Sequence, residues 1–269
     1  MIGILLERLR LGGQTIAYPK GPARFPARFH GRPALHPDRC VAGCTACSDV
    51  CPSDAVASAG SPGLALDMGA CLFCALCQEA CPAQAIEFTR DYRLAMRTQD
   101  ELRVTGDEPK LARALETRML KLFGRSLRLR QVSAGGCNGC EAELNASGNI
   151  QFDLGRFGIQ FVASPRHADG IVVTGPVSEN MRAALRSAWE ATPAPRLVIA
   201  VGACAISGGV FAKSPICHGG AEPALGVPVD LFIPGCPPHP VTILDGLLRL
   251  LGRVEGDRLQ LVGTGIVEE

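Results

Sequence analysis

An excess of charge is missing from this sequence: 27 Lys and Arg face 26 Asp and Glu over 269 residues. That balance excludes a broadly cationic nucleic-acid binder. Missing too is any apolar run near the roughly 18 residues that cross a bilayer. The opening Met1-Ile2-Gly3-Ile4-Leu5-Leu6-Glu7-Arg8 is too short in its apolar part and too charged for a secretory signal peptide. No Ser-His-Asp arrangement, Walker loop or dinucleotide glycine fingerprint occurs, so no separate catalytic pocket is expected. Aromatics are scarce, at 5%. Disorder is excluded in turn, because 47% of residues are hydrophobic and only 20% charged. At a prior of roughly 150 residues per domain, the chain is long enough for two.

What the chain has in plenty is cysteine. The thirteen are Cys40, Cys44, Cys47, Cys51, Cys71, Cys74, Cys77, Cys81, Cys137, Cys140, Cys204, Cys217 and Cys236. A disulfide framework is disfavoured, since the number is odd and cysteines two residues apart bridge poorly. Without a secretory leader, metal binding in a reducing compartment is the better reading. The cysteine-dense stretch 40–90 is acidic and lies between basic stretches, 1–39 and 91–130. Such runs read as solvated surface, with partner docking as the alternative.

Eight of the cysteines form a duplication. Cys44-Thr-Ala-Cys47-Ser-Asp-Val-Cys51-Pro52 recurs thirty residues later as Cys74-Ala-Leu-Cys77-Gln-Glu-Ala-Cys81-Pro82. With Cys71 in front, the second copy reads C-x2-C-x2-C-x3-C-P, the bacterial ferredoxin run. Three thiolates on one tight loop grip three corners of a cubane, and the fourth reaches the other cluster. Cys71, Cys74, Cys77 and Cys51 are therefore expected on one [4Fe–4S] cluster, and Cys40, Cys44, Cys47 and Cys81 on a second. The first copy departs from the pattern, with three residues between Cys40 and Cys44; Gly43 would let the extra residue bulge out. Zinc on four thiolates is the competing reading. The small Ala46, Ala75 and Ala80 between ligands favour a cubane, whose sulfides leave no room for bulk. Over about residues 36–90 the chain resembles the two-cluster ferredoxins, with strand-like segments at 64–67 and 85–88.

The second half has another texture. Short segments at 127–132, 169–174, 196–201 and 229–233 read as strands, and 141–149, 178–190 and 241–251 as helices. That alternation predicts a flavodoxin-like α/β domain, a parallel sheet with helices on both faces. Three strands run into cysteine loops: Gly135-Gly136-Cys137-Asn138-Gly139-Cys140, Gly202-Ala203-Cys204 with Gly208-Gly209, and Pro234-Gly235-Cys236-Pro237-Pro238. Loops at the carboxyl ends of parallel strands share one edge, so Cys137, Cys140, Cys204 and Cys236 can converge there. Thr174-Gly175-Pro176 should shape the same edge. Cys217 lies outside the pattern and reads as structural.

On those loops, residues 127–269 resemble the small, cluster-bearing subunit shared by complex I-type oxidoreductases and membrane-bound [NiFe] hydrogenases. The resemblance implies that Cys137, Cys140, Cys204 and Cys236 hold the [4Fe–4S] cluster nearest a catalytic large subunit. Complex I has two adjacent cysteines where this chain has Cys137-x2-Cys140, which favours the hydrogenase branch. Glu143 matches an acidic position of hydrogenase-type small subunits and is a candidate proton relay; a solvated glutamate in a first helical turn is the alternative. Ile16-Ala-Tyr18-Pro19 and Phe29-His30-Gly31-Arg32-Pro33 resemble the ferredoxin-type subunit of formate hydrogenlyase and hydrogenase-4 complexes.

The expected organisation is an N-terminal arm (1–36), an α+β two-cluster ferredoxin domain (37–90), a mostly helical connector (91–126, for example 109–122) and the α/β domain (127–269). Leu5, Leu6 and Leu9 could line a short amphipathic helix, packed on its own complex rather than on a membrane surface. The implied function is electron transfer through three [4Fe–4S] clusters, with no substrate-converting site in this chain. Implied partners are a [NiFe] hydrogenase-type large subunit, an electron-donor Fe–S subunit or soluble ferredoxin, and membrane-embedded subunits, but no nucleic acid. The implied location is cytoplasmic, peripheral to the inner membrane. The alternatives are a complex I-like quinone oxidoreductase subunit and a zinc-stabilised assembly protein.

Overall fold

The computed structural model describes residues 2–23, 25–57, 63–106, 111–124, 126–255 and 258–259. It begins with α1 (Ile2–Leu11), none of whose residues is buried; Leu5, Leu6 and Leu9 are all exposed. A module of short elements follows: β1 (Pro33–Leu35), α2 (Ala46–Asp49), β2 (Val56–Ala57), β3 (Ala65–Asp67), α3 (Leu76–Ala80) and β4 (Ile86–Phe88). β1 pairs antiparallel with β4, and β2 with β3. The thirty-residue repeat is visible in space: α2 buries Cys47 and α3 buries Cys77. Asp54 and Gln84, also thirty apart, both take a left-handed backbone, at φ 54° and 50°.

The connector departs from the helical expectation. Its β5 (Arg103–Val104) adds a third strand beside β3, and Met96 bridges to Phe232 in the second half. Its helix is confined to α4 (Thr117–Phe123); residues 109 and 110 lie outside the described residues. The reason is where the backbone hydrogen bonds go. Ala112 N–H donates to Ala95 O and Leu115 N–H to Leu250 O, so these amides serve neighbouring elements instead of a helical turn. Leu94, Met96, Leu102 and Val104 are buried between the two halves.

The second half contains β6 (Leu127–Ser133), α5 (Gly139–Ser147), β7 (Ile159–Phe161), β8 (Gly170–Thr174), α6 (Glu179–Ala191), β9 (Leu197–Val201), α7 (Ala203–Ser207), α8 (Ala221–Leu225), β10 (Leu231–Ile233) and α9 (Pro240–Leu250). The five strands form one parallel sheet in the order β10-β9-β8-β6-β7. This is the flavodoxin-like winding, in which the direction of travel reverses between β6 and β8. β7 is the one strand of this sheet that the sequence pattern does not indicate.

Strand alternation divides the interior into two cores. Leu197, Ile199 and Val201 pack with α5 and α9, whereas Val198 and Ala200 face the side of α6 and α8. The second core is continuous with that of the N-terminal module, through residues such as Leu35, Leu66, Met68 and Ile206. All of α9 is buried. Each of Leu244, Leu247 and Leu248 contributes about 1.5–3 kcal/mol by leaving water. The helix also buries Asp245 and Arg249, which pair at 2.8 Å.

The N-terminal arm is tied to the second half. Ile16 N–H donates to Gln151 O, and the Arg156 guanidinium donates to the carbonyls of Ile16 and Tyr18. Farther along, His30 Nδ1 meets Phe73 O at 2.9 Å, joining the arm to the loop between Cys71 and Cys74. Among the described residues, no helix is long and apolar enough to cross a membrane.

Candidate metal centres

The local chain geometry brings the cysteines together in three sets. Cys40, Cys44, Cys47 and Cys81 line one cavity, walled by Val41, Leu64, Pro82 and Ile86. Here the extra residue is accommodated as a turn, with Cys44 N–H donating to Val41 O at 3.1 Å and Val41 exposed. Gly43 supplies the left-handed position that this turn needs, at φ 75°. The equivalent position in the second copy is Phe73, held left-handed at φ 54°, with Ala75 at 63°. Non-glycine residues in that region cost about 1–3 kcal/mol each, and such strain collects at functional loops.

Cys51, Cys71, Cys74 and Cys77 form the second set. Burial pushes the Cys71 thiol up to about 12; Phe73 N–H, donating to its Sγ at 3.2 Å, works against this, while Cys77, Cys51 and Cys74 push it further. Cys77 is pushed up to about 11, first by burial and then by Cys51 and Cys74. Cys47 of the first set acts on it as well. The repeat extends to amide–sulfur bonds: Ala55 N–H donates to Cys51 Sγ and Ala85 N–H to Cys81 Sγ, each at 3.2 Å.

Cys137, Cys140, Cys204 and Cys236 form the third set, on the carboxyl edge of the parallel sheet. Burial pushes Cys140 up to about 12, followed by the charge of Glu141 and then Cys204, Cys236 and Cys137. Cys204 rises to about 11 through burial, then Cys236, Cys137 and Cys217. Partial burial also raises Cys236, with Cys137 and Cys74 adding to it. Cys74 of the second set thus lies beside the third. Gly202 shows how closely the backbone approaches this group: a Cβ there would lie 2.4 Å from Cys140 Sγ, and its φ of 89° suits glycine. Cys137, Cys236 and Cys74 are exposed, so this end of the arrangement opens to the surface.

The donor chemistry fits iron–sulfur clusters. Thiols pushed this high stay protonated unless a metal charge compensates the thiolate, so loading releases protons. Amide hydrogen bonds to sulfur stabilise ligating thiolates. Among the described residues, no three His, Cys, Asp or Glu side chains converge as ligands of one metal ion do. The thiols of the second and third sets lie near enough to influence one another, and those of the first line a common cavity.

Cys217 lies near Cys204, in an isolated bridge to Ser178. Glu143 is half-buried, and burial raises its carboxyl. It lines a cavity with Phe73, Cys236, His239 and Thr242. Sequence reasoning passes over Glu141, which is buried directly after Cys140. Burial pulls its carboxyl up, but hydrogen bonds from Ser133 and Thr174 more than offset this and hold it below the ordinary value. Thr174, expected to shape this edge, does so by contacting Glu141. Only the meeting of two strand ends reveals the role of Glu141.

Residues 137–250 match the model of the family described as NADH ubiquinone oxidoreductase, 20 Kd subunit. The chain is 42% identical over 156 residues to formate hydrogenlyase subunit 7 of Escherichia coli, covering 58% of this chain and 60% of that protein. The match thus spans less than two thirds of that relative. It is 42% identical over 136 residues to the probable membrane-bound hydrogenase subunit mbhJ of Pyrococcus furiosus, covering 51% of this chain and 80% of that protein. It is also 44% identical over 119 residues to an NADH-quinone oxidoreductase subunit of Citrifermentans bemidjiense, covering 44% of this chain and 68% of that protein.

Proposed function

The chain belongs to the NADH ubiquinone oxidoreductase, 20 Kd subunit family, and on that premise we propose that it is the electron-transfer subunit of a membrane-associated, formate hydrogenlyase-like [NiFe] hydrogenase complex. Its three cysteine sets would hold three [4Fe–4S] clusters, each supplying a one-electron site when bound. Cys40, Cys44, Cys47 and Cys81 hold the outer one, Cys51, Cys71, Cys74 and Cys77 the middle one, and Cys137, Cys140, Cys204 and Cys236 the terminal one. The observation that supports this reading is the electrostatic influence of Cys74 on Cys236 and of Cys47 on Cys77, which links each proposed cluster site to the next.

In this reading the chain's work is ligation, burial and spacing. The buried side chains of Leu64 and Ile86 give the outer thiolates an apolar wall on the inner side. The amides of Ala55, Phe73 and Ala85 orient and stabilise theirs. The exposed edge at Cys137 and Cys236 is where the large catalytic subunit docks, carrying the NiFe centre and the conversion of substrate. A donor Fe–S subunit or soluble ferredoxin meets the outer end, and membrane-embedded subunits keep the complex on the cytoplasmic face. Glu143, half-buried beside Cys236, is the proton relay toward the large subunit.

Oxygen-free purification followed by iron and sulfide analysis tests the proposal. Roughly twelve of each per chain are expected, and zinc without sulfide would overturn it. A second reading, a subunit of a quinone-reducing complex, is favoured by the relatives named as NADH-quinone oxidoreductase subunits. The Cys137-x2-Cys140 spacing supports the hydrogenase branch. Purifying the intact complex distinguishes the two: nickel with hydrogen turnover supports the first, and a terminal EPR signal altered by quinone supports the second.

A further inference from the structure

Glu141 is a carboxylate placed where a protein fold seldom leaves one. It is 6% exposed, lies in the first turn of α5, and directly follows Cys140. Its Oε1 accepts hydrogen bonds from Ser133 Oγ at 2.6 Å and from Thr174 Oγ1 at 2.7 Å. Those two hydroxyls end β6 and β8, and the two residues are register partners across the sheet. The carboxylate therefore closes the point at which the winding of the sheet reverses. One oxygen receiving two hydroxyl protons is the arrangement of an anion. Among the described residues, no Lys or Arg pairs with it. It is the residue next to Cys140 in the chain, and its carboxylate is held at the strand ends that border the third cysteine set.

A buried anion with no paired cation costs free energy, and a purely structural cross-link would be served as well by a neutral amide. Resting on the cluster reading above, we propose that Glu141 is a positioning and tuning residue whose fixed negative charge lowers the reduction potential of the centre held by Cys137, Cys140, Cys204 and Cys236. An electron arriving there enters a region of low dielectric, beside a charge of its own sign, so reduction is opposed. The hydrogen bonds from Ser133 and Thr174 fix the distance at which that charge acts. The effect is concentrated at the terminal centre. Glu141 directly follows Cys140 and is fixed between the ends of β6 and β8, on the sheet edge that carries this cysteine set and outside the N-terminal module.

Glu141→Gln tests this in the full chain, purified without oxygen and titrated redox-potentiometrically under EPR. The amide oxygen can accept the same two hydroxyl bonds, so only the charge is removed. The terminal signal, identified by its loss in Cys236→Ala, is expected to move to more positive potential in Glu141→Gln. Glu141→Asp is expected to restore most of the shift, and the signals of the other two centres are expected to stay in place as internal references. Where Glu141→Gln fails to fold, Glu141→Ser removes the charge with room for a water, and the same signal is read. A terminal potential unchanged by loss of the charge overturns the proposal while leaving the cluster reading intact. A wild-type chain without iron, sulfide or EPR signals overturns the cluster reading and this proposal with it.

Discussion

The phenol of Tyr18 donates a 2.7 Å hydrogen bond to Oδ1 of Asp245, joining residues 227 positions apart. Asp245 also pairs through Oδ2 with Arg249 Nε, and all three side chains are buried. Burial first, then the charge of Asp245, keeps the Tyr18 hydroxyl protonated, so it is a committed donor. Tyr18→Phe should destabilise the chain by about 1–3 kcal/mol, the cost of leaving a buried acceptor short of a donor. Asp245→Ala should cost more, about 3–5 kcal/mol, because it removes a buried carboxylate that serves both Tyr18 and Arg249. Thermal unfolding of the cluster-loaded proteins checks both, and equal losses would contradict the argument.

His239 gives the fold an acid-sensitive helix cap. Its Nδ1 accepts from Val241 N–H at 3.2 Å, and the rings of Phe25, Phe29 and Phe152 surround it. Burial holds its pKa below the ordinary value of 6.5. A group depressed by folding contributes stability that is complete above its unfolded pKa and is lost as pH falls through the folded one. Stability should therefore fall as pH drops below about 6.5. Glu143 lines the same cavity with a raised pKa. A carboxylate whose pKa is raised by folding favours the fold more at low pH, so it partly opposes the trend. His239→Asn, which can cap without titrating, should flatten the acid limb of a plot of melting temperature against pH. An unchanged limb would assign the acid loss to other groups.

Much of the architecture is legible in the sequence because its signals are local. Strands buried on both faces must be continuous apolar runs, and 169–174 and 196–201 are such runs. The duplicated cysteine spacing is equally plain, since a ligand loop is written within about ten residues. β7 escapes because three residues, Ile159–Phe161, carry no periodicity of their own and gain strand character only from pairing with β6. The connector is less helical than expected because the amides of Ala112 and Leu115 bond to Ala95 and Leu250, partners that no local pattern reveals. Glu141 is illegible for a related reason: its burial depends on Ser133 and Thr174, 8 and 33 positions away in sequence.

Cys217 separates proximity from ligation. It lies close enough to Cys204 to raise that thiol, yet its own backbone is engaged with Ser214 and Ser178 in a loop. Cys217→Ser should leave the iron and sulfide content unchanged and alter stability by less than about 1 kcal/mol. Loss of about four irons would instead make it a ligand and displace one of the other four cysteines from the terminal set.

Gly202 provides the sharpest test of whether the strand-end loops enclose a metal centre. A methyl at this position would lie 2.4 Å from Cys140 Sγ, inside any tolerable contact, and φ is 89°. On the proposed three-cluster reading, Gly202→Ala should therefore displace the Cys140 thiolate and selectively abolish the terminal centre, reducing iron from about twelve to about eight per chain. The two centres of the N-terminal module should keep their EPR signals. Gly226 is the control: it is left-handed at φ 69° but has nothing within 4 Å of a built Cβ. Gly226→Ala should cost about 1 kcal/mol of backbone strain and no iron. Equal iron in the two variants would mean that the backbone at Gly202 does not border a metal centre, whatever its distance from the thiol.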